Sequence, residues 1–161
     1  MLIGVLSDTH LRAGRPLPAY VWQALAHVDL ILHAGDIVSP SVLADLGCLA
    51  PVTAVRGNCD GWELADLPAE VVVTCEDAKI GLVHGYAGSG RSTRERAWAA
   101  FKDAGVDAIV FGHSHAPCSE VHHGILLFNP GSPTDKRREP RYSVGLLQVE
   151  GKKITPQHLY F

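Results

Sequence analysis

The chain has no long apolar run, no paired cysteines and no surplus of positive charge. No hydrophobic stretch approaches the roughly 20 residues of a membrane-spanning helix, so no membrane partner is expected. The four cysteines, Cys48, Cys59, Cys75 and Cys118, form no CxxC pair and keep no regular spacing. That fits reduced thiols better than a disulfide framework. A formal charge of −3 leaves no basic footprint and argues against nucleic acid as a bulk electrostatic partner. No basic region precedes the first apolar segment, so no signal peptide is expected and the expected location is cytoplasmic. Neither HExxH nor HxHxDH occurs, which weakens a mononuclear zinc hydrolase. No repeat, low-complexity tract or linker divides the 161 residues, so 1–161 reads as one domain with a sizeable core.

What the chain does have is nine histidines and a recurring grammar. Leu2-Ile3-Gly4-Val5-Leu6 is a short aliphatic run that stops at Ser7-Asp8-Thr9-His10, the pattern of a buried strand. Leu30-Ile31-Leu32 runs into His33-Ala34-Gly35-Asp36, and Val52 to Val55 runs into Arg56-Gly57-Asn58-Cys59-Asp60. Ile80 to Val83 meets His84-Gly85, and Ala108 to Phe111 meets Gly112-His113-Ser114-His115. Sites in open α/β sheets form outside the carboxyl ends of strands. Five such ends side by side would gather Asp8, His10, Asp36, Asn58, His84, His113 and His115.

Between these runs the spacing predicts a helix over Ala19 to Val28, with Val21, Trp22, Leu25 and Val28 on one face. A second helix is expected from Ser39-Pro40 to about Leu49. A third should open at Ser92-Thr93-Arg94-Glu95, which has the capping-box form, and stop at Gly105. Gly61 to Pro68 reads as a loop or short helical turn. Glu70 to Cys75 and Lys79 to His84 read as a hairpin. From Ala116 the chain reads as a β-meander, with tight connections at His122-His123-Gly124 and Glu150-Gly151. The expected class is α/β, two mixed sheets packed face to face with helices outside.

Carboxylate and imidazole without thiolate suit Mn, Fe, Co, Ni or Zn. Seven ligand-type residues exceed one tetrahedral ion and suit two, sharing a carboxylate. Two divalent ions against the two charges of Asp8 and Asp36 would leave the pocket positive and attractive to phosphate. Other residues have plainer readings. His27 ends a helix, His122 and His123 sit at a turn, and His158 lies near the end of the chain. His33 should hydrogen-bond near the site rather than ligate. Trp22, Trp98 and Phe101 read as core or groove-lining. Lys136 to Arg141 reads as a solvated loop, or as a patch that steers an anionic substrate.

The ordered set Asp8-x-His10, Gly35-Asp36, Gly57-Asn58, His84-Gly85 and Gly112-His113-Ser114-His115 resembles the calcineurin-like metallophosphoesterases. The small size and Asn129-Pro130-Gly131-Ser132 are similar to the YfcE-type phosphodiesterase branch. The resemblance implies a four-layer α/β/β/α sandwich and two divalent metal ions, Mn foremost. One ion would sit on Asp8, His10, Asp36 and His115, the other on Asp36, Asn58, His84 and His113. A metal-bound hydroxide would attack a small phosphate ester, a diester before a monoester, with Asp36, Asn58 and His84 as the residues that position the reaction. Ser132 and Arg141 would contact the phosphate, and a homo-oligomer is compatible. Cys59 departs from the wider superfamily, which has a leaving-group His there. A thiol is a weak donor and more often a small buried filler. Asp60 would orient a ligand from behind. The rival is a scaffold on the same fold, as in the retromer subunit of vacuolar sorting, where the metal site is degraded.

Overall fold

Alternation along the first strand, β1 (Leu2–Leu6), sends Ile3 and Val5 to one face and Leu2 and Leu6 to the other. That is the period-two pattern of a strand covered on both sides. In the computed structural model, which describes residues 1–161, β1 is the middle strand of a five-stranded sheet. Its neighbours are β2 (Leu30–His33), β3 (Val52–Ala54), β9 (Ser143–Glu150) and β10 (Lys153–Tyr160), in the order β10-β9-β1-β2-β3. The second sheet has the order β4-β5-β6-β8-β7, built from β4 (Glu70–Cys75), β5 (Ala78–Val83), β6 (Ala108–Phe111), β7 (Cys118–His122) and β8 (Ile125–Asn129). Strands β1, β2 and β3 are parallel, as are β5, β6 and β8.

The sheets face each other across Ile3, Val5 and Leu32 on one side and Ile80, Leu82, Val110 and Phe128 on the other. Outside the first sheet, α1 (Ala19–Ala24) and α2 (Pro40–Gly47) bury Val21, Val42 and Leu46 against Leu6 and Ile31. Outside the second, α3 (Thr93–Phe101) lays Ala97 and Phe101 over Ile109, Phe111 and Leu127. The result is the expected four-layer α/β/β/α sandwich. No helix is long and apolar enough to cross a membrane.

Local chemistry explains the helix starts. Ser39 accepts the Ser41 N–H, with Pro40 as the first helical residue. Ser92 accepts the Glu95 N–H at 3.2 Å. The Glu95 carboxylate reaches back past the cap to the Arg91 N–H at 2.6 Å, so the capping box is closed one residue early. A 3₁₀ turn spans Trp62–Leu64.

Two expectations need correction. The first helix stops at Ala24 instead of Val28, and Leu25 leaves helical geometry at φ −104°, ψ 6°. Turns through Leu25 and Val28 keep both side chains on the sheet, so the apolar spacing persists after the helix has ended. The second half is not a meander either. β7 and β8 form a hairpin in the second sheet, whereas β9 crosses to the first and pairs antiparallel with β1, Ile3 opposite Leu147. Alternation marks these residues as strand but does not name their partner. The three two-residue turns, Glu76-Asp77, His123-Gly124 and Gly151-Lys152, all lie at the end opposite the carboxyl ends of the parallel strands. His123 and Gly124 both have positive φ, as a type I′ turn requires.

Close packing makes one position a sharp test. Gly81 lies under Phe101, and a Cβ there would fall 2.8 Å from the ring. Gly81→Ala should destabilise the protein by about 1–3 kcal/mol in urea unfolding, and Phe101→Leu in the same chain should recover part of the loss.

Candidate metal centre

The carboxyl ends of both parallel triplets open at the same end of the sandwich. Asp8 and His10 follow β1, Asp36 follows β2, Asn58 follows β3, His84 follows β5, and His113 and His115 follow β6. All seven side chains predicted from sequence meet there. Five of them sit in left-handed backbone: Asp8 at φ 55°, His10 at 47°, Asp36 at 55°, His113 at 65° and His115 at 60°. Non-glycine residues rarely adopt that region, and each case is strained by about 1–3 kcal/mol. The strain turns the chain sharply off the strand, so side chains that would otherwise alternate in and out are all aimed into one space.

Hydrogen bonds around the turns hold this shape. Asp8 N–H donates to the Gly35 carbonyl and His10 N–H to the Asp36 carbonyl, each at 3.0 Å. The buried Asp60 carboxylate accepts four backbone N–H groups: Gly57, Ile37 and Val38 at 2.7 Å and Asp36 at 3.1 Å. It thereby supports Val38, a β-branched residue at φ 77°. The expected role of Asp60 is thus exerted through the main chain. Gly57 must be glycine on steric grounds, since a Cβ there would lie 2.2 Å from the Asp36 N and Oδ1.

Tautomers follow from fixed acceptors. The His84 Nδ1 is 2.7 Å from the Ala34 carbonyl, so it carries the hydrogen. Its Nε2 then points at the Asp36 Oδ2 at 3.2 Å and the Asn58 Oδ1 at 3.1 Å. The His115 Nδ1 donates to the Asp135 carbonyl, which leaves Nε2 facing the His10 Nε2 at 3.2 Å and the Asp8 Oδ1 at 3.4 Å. The His10 Nε2 lies 3.5 Å from the Asp36 Oδ2. Neutral imidazoles and carboxylates here present lone pair to lone pair. Such a cluster is stable only with a proton or a cation between the acceptors.

Three groups, Asp8-His10-His115, His10-Asp36-Cys59 and Asp36-His84-His113, each have ligand atoms within 4.8 Å of one another, so the Cys59 thiol joins the expected carboxylates and imidazoles. Such donors suit a divalent metal ion.

The same crowding sets the protonation of these groups. Burial pushes the Asp8 carboxyl up. Burial also opposes charge on Asp36, but the hydrogen bond and charge of His84, with the Cys59 N–H at 2.8 Å, outweigh it and hold Asp36 well below the carboxylate range. Burial likewise works against charge on His84, while Asp36 and Asp8 win and raise its pKa. His113 is lowered by burial and by the charge of His84. Without a metal, the proton shared by His84 and Asp36 balances the cluster.

Other expectations fared unevenly. His33 accepts the Gly35 N–H through Nδ1 at 3.2 Å and meets Thr9 Oγ1 through Nε2, a supporting bond as expected. Cys59 is exposed, not a buried filler, and its Sγ accepts from the Asn58 Nδ2 at 3.4 Å. Although the residue as a whole is exposed, partial desolvation of its thiol beside Asp36 and the charge of that carboxylate push it up to about 11. Ser132 is not free for a phosphate. It is buried, donates to the Asp8 carbonyl at 2.7 Å and accepts the Thr134 and Asp135 N–H groups. Arg141 stacks over Tyr160, 4.7 Å from the ring centroid, and does not reach into the cluster. His27 lies beyond the end of α1. Asn129 was missed as a site residue. Its amide donates to the Gly112 carbonyl and to Ser114 Oγ, bracing the loop of His113 and His115. The Asn-Pro-Gly-Ser stretch was its only signal.

Two tests follow. Asp60→Asn removes acceptor capacity from four amides and should destabilise the protein by about 2–3 kcal/mol in thermal melts. Burial holds the His33 pKa down at about 3, against 6.5 when exposed. Between those values the unfolded chain binds the proton that the folded chain refuses. The associated stability is therefore complete above pH 6.5 and drains away as pH falls toward 3. Unfolding of metal-free His33→Gln should show a shallower acid dependence than wild type between about pH 6.5 and 4.

Comparison with known proteins places this geometry. The model of the calcineurin-like phosphoesterase superfamily domain matches residues 1–152. A probable metallophosphoesterase of Methanocaldococcus jannaschii is 43% identical over 154 residues, covering 94% of this chain and 78% of that protein. A phosphodiesterase of the same organism is 30% identical over 145 residues, covering 81% of this chain and 83% of its own. Among solved structures, a Vps29 mutant from Entamoeba histolytica superposes with a TM-score of 0.81 at 24% identity, over 100% of this chain and 99% of that one, a likeness of fold alone. With the family model spanning nearly the whole sequence and close relatives carrying the same designation, the chain belongs to the calcineurin-like phosphoesterase superfamily and is a hydrolase.

Proposed function

We propose that the protein is a binuclear metal-dependent phosphodiesterase that acts on a small phosphate ester. The observation that carries this reading is the convergence of Asp8, His10 and His115, and of Asp36, His84 and His113, into two groups whose ligand atoms lie within 4.8 Å of one another. In it Asp8, His10 and His115 would hold one ion and His84, His113 and Asn58 the other. Asp36, whose Oδ2 faces both the His10 and the His84 Nε2, would serve both. Mn is the leading metal, with Fe, Co, Ni and Zn suited to the same donors. Bound divalent ions would supply Lewis acidity toward the phosphate oxygens and lower the pKa of water.

The chain's own residues do the rest. Asp8 is fixed by the His113 N–H at 3.0 Å and Asp36 by the Cys59 N–H at 2.8 Å, so neither carboxylate needs to reorganise. Carbonyls behind His84 and His115 lock the tautomer that presents Nε2. Cys59 stands beside Asp36 and offers a departing oxygen only a thiol, a weak hydrogen-bond donor. A scaffold reading would need a degraded site, and here every one of the seven positions keeps a ligand-type side chain.

Asp36→Asn should cut the bound Mn measured by elemental analysis and reduce hydrolysis of a diester to background. Full activity in that variant would end the binuclear reading. A leaving-group series should show a steep dependence on leaving-group pKa, with poor leaving groups slower by about 10²–10⁴-fold. Ligation requires neutral imidazoles, so rates should fall as the solution is acidified.

A further inference from the structure

A groove of about 320 Å³ adjoins His84 on the second sheet. Val83, Ala69 and Ala100 give it an apolar lining, and Tyr86 forms one wall. Tyr86 is 46% exposed, with its ring centroid 5.9 Å from that of His84 and 6.5 Å from that of His113. Arg96 also lines the groove and, unlike Arg94, which pairs with Glu120 at 2.8 Å, has no carboxylate partner. The loop carrying Tyr86 is pinned rather than loose. Arg91 N–H donates to Glu95, and Gly90 packs so close to Glu95 that a Cβ would lie 2.7 Å from it.

His84 belongs to both the groove and the acid–imidazole cluster. A phosphate held at the cluster therefore has this groove as adjoining space for its organic group. The volume is at the lower end of the range for small organic ligands, about 300–1,000 Å³. An alkyl chain would gain only contact area there. A planar ring would also stack on the exposed Tyr86 face and meet the Arg96 guanidinium.

We propose that this groove binds a planar aromatic group, aryl or nucleobase, carried by the phosphate ester, with Tyr86 as its stacking face. The proposal rests on the phosphoesterase reading above. It can be tested with unhydrolysable anions that differ only in the organic group. Calorimetry on the Mn-loaded protein should show phenylphosphonate binding about tenfold tighter than methylphosphonate. The methylenephosphonate analogue of thymidine 5′-monophosphate then separates a nucleoside site, if it exceeds phenylphosphonate, from an aryl site, if it does not. Tyr86→Ala and the groove-filling Ala100→Trp should each bring the phenyl-to-methyl ratio close to one. Val121→Ser, at an exposed position on β7, should leave the ratio as in wild type. Equal binding of the two phosphonates to wild type would overturn the groove proposal while leaving the phosphate site intact. Binding of neither would overturn both.

Discussion

Two buried carboxylates, Asp8 and Asp36, share one small space with imidazoles, and this crowding governs the rest of the molecule. Burial of two like charges is unfavourable unless protons, hydrogen bonds or cations compensate. Each carboxylate is met by a main-chain N–H, from His113 and from Cys59, and each is faced by imidazole nitrogens. The backbone that delivers those amides is fixed in turn by Asp60, Ser132 and Asn129, none of which faces the centre of the cluster. The polar network is closed, with no buried side-chain nitrogen or oxygen lacking a partner.

Such a site cannot be assembled on relaxed backbone. Left-handed residues at the ends of β1, β2 and β6 are each unfavourable alone, and they persist because the sandwich beneath them is close-packed. Glycines supply what side chains would obstruct. Gly57 lets the chain touch Asp36, and Gly112 lets it touch Ser7, where a Cβ would fall 1.8 Å from the Oγ. Preorganisation at the cluster is thus drawn from the hydrophobic contacts of both sheets.

The sequence is informative where one strand carries both packing and chemistry. Five aliphatic runs that stop at Asp, Asn or His announce buried parallel strands and the residues at their exits, and these seven side chains do meet. Legibility fails where a feature depends on a partner far along the chain. Nothing in Tyr142 to Val149 tells that β9 leaves the second sheet to pair with β1. Nothing local tells that the Ser132 hydroxyl is consumed by the Asp8 carbonyl, or that four amides converge on Asp60. Cys59 misled for the same reason, since its exposure is set by how the Gly57–Asp60 turn wraps Asp36 and not by its own polarity.

The sandwich also has two unlike poles. One is closed by three turns of two residues each, where registers are set and little can be added. The other gathers the connections that leave β1, β3, β5 and β8, several of them long, around the cluster. Lengthening a connection at that pole raises closure entropy only slowly and touches no strand register. The architecture can therefore acquire new rims, and with them new substrate preferences, while the chemistry at its centre stays as it was.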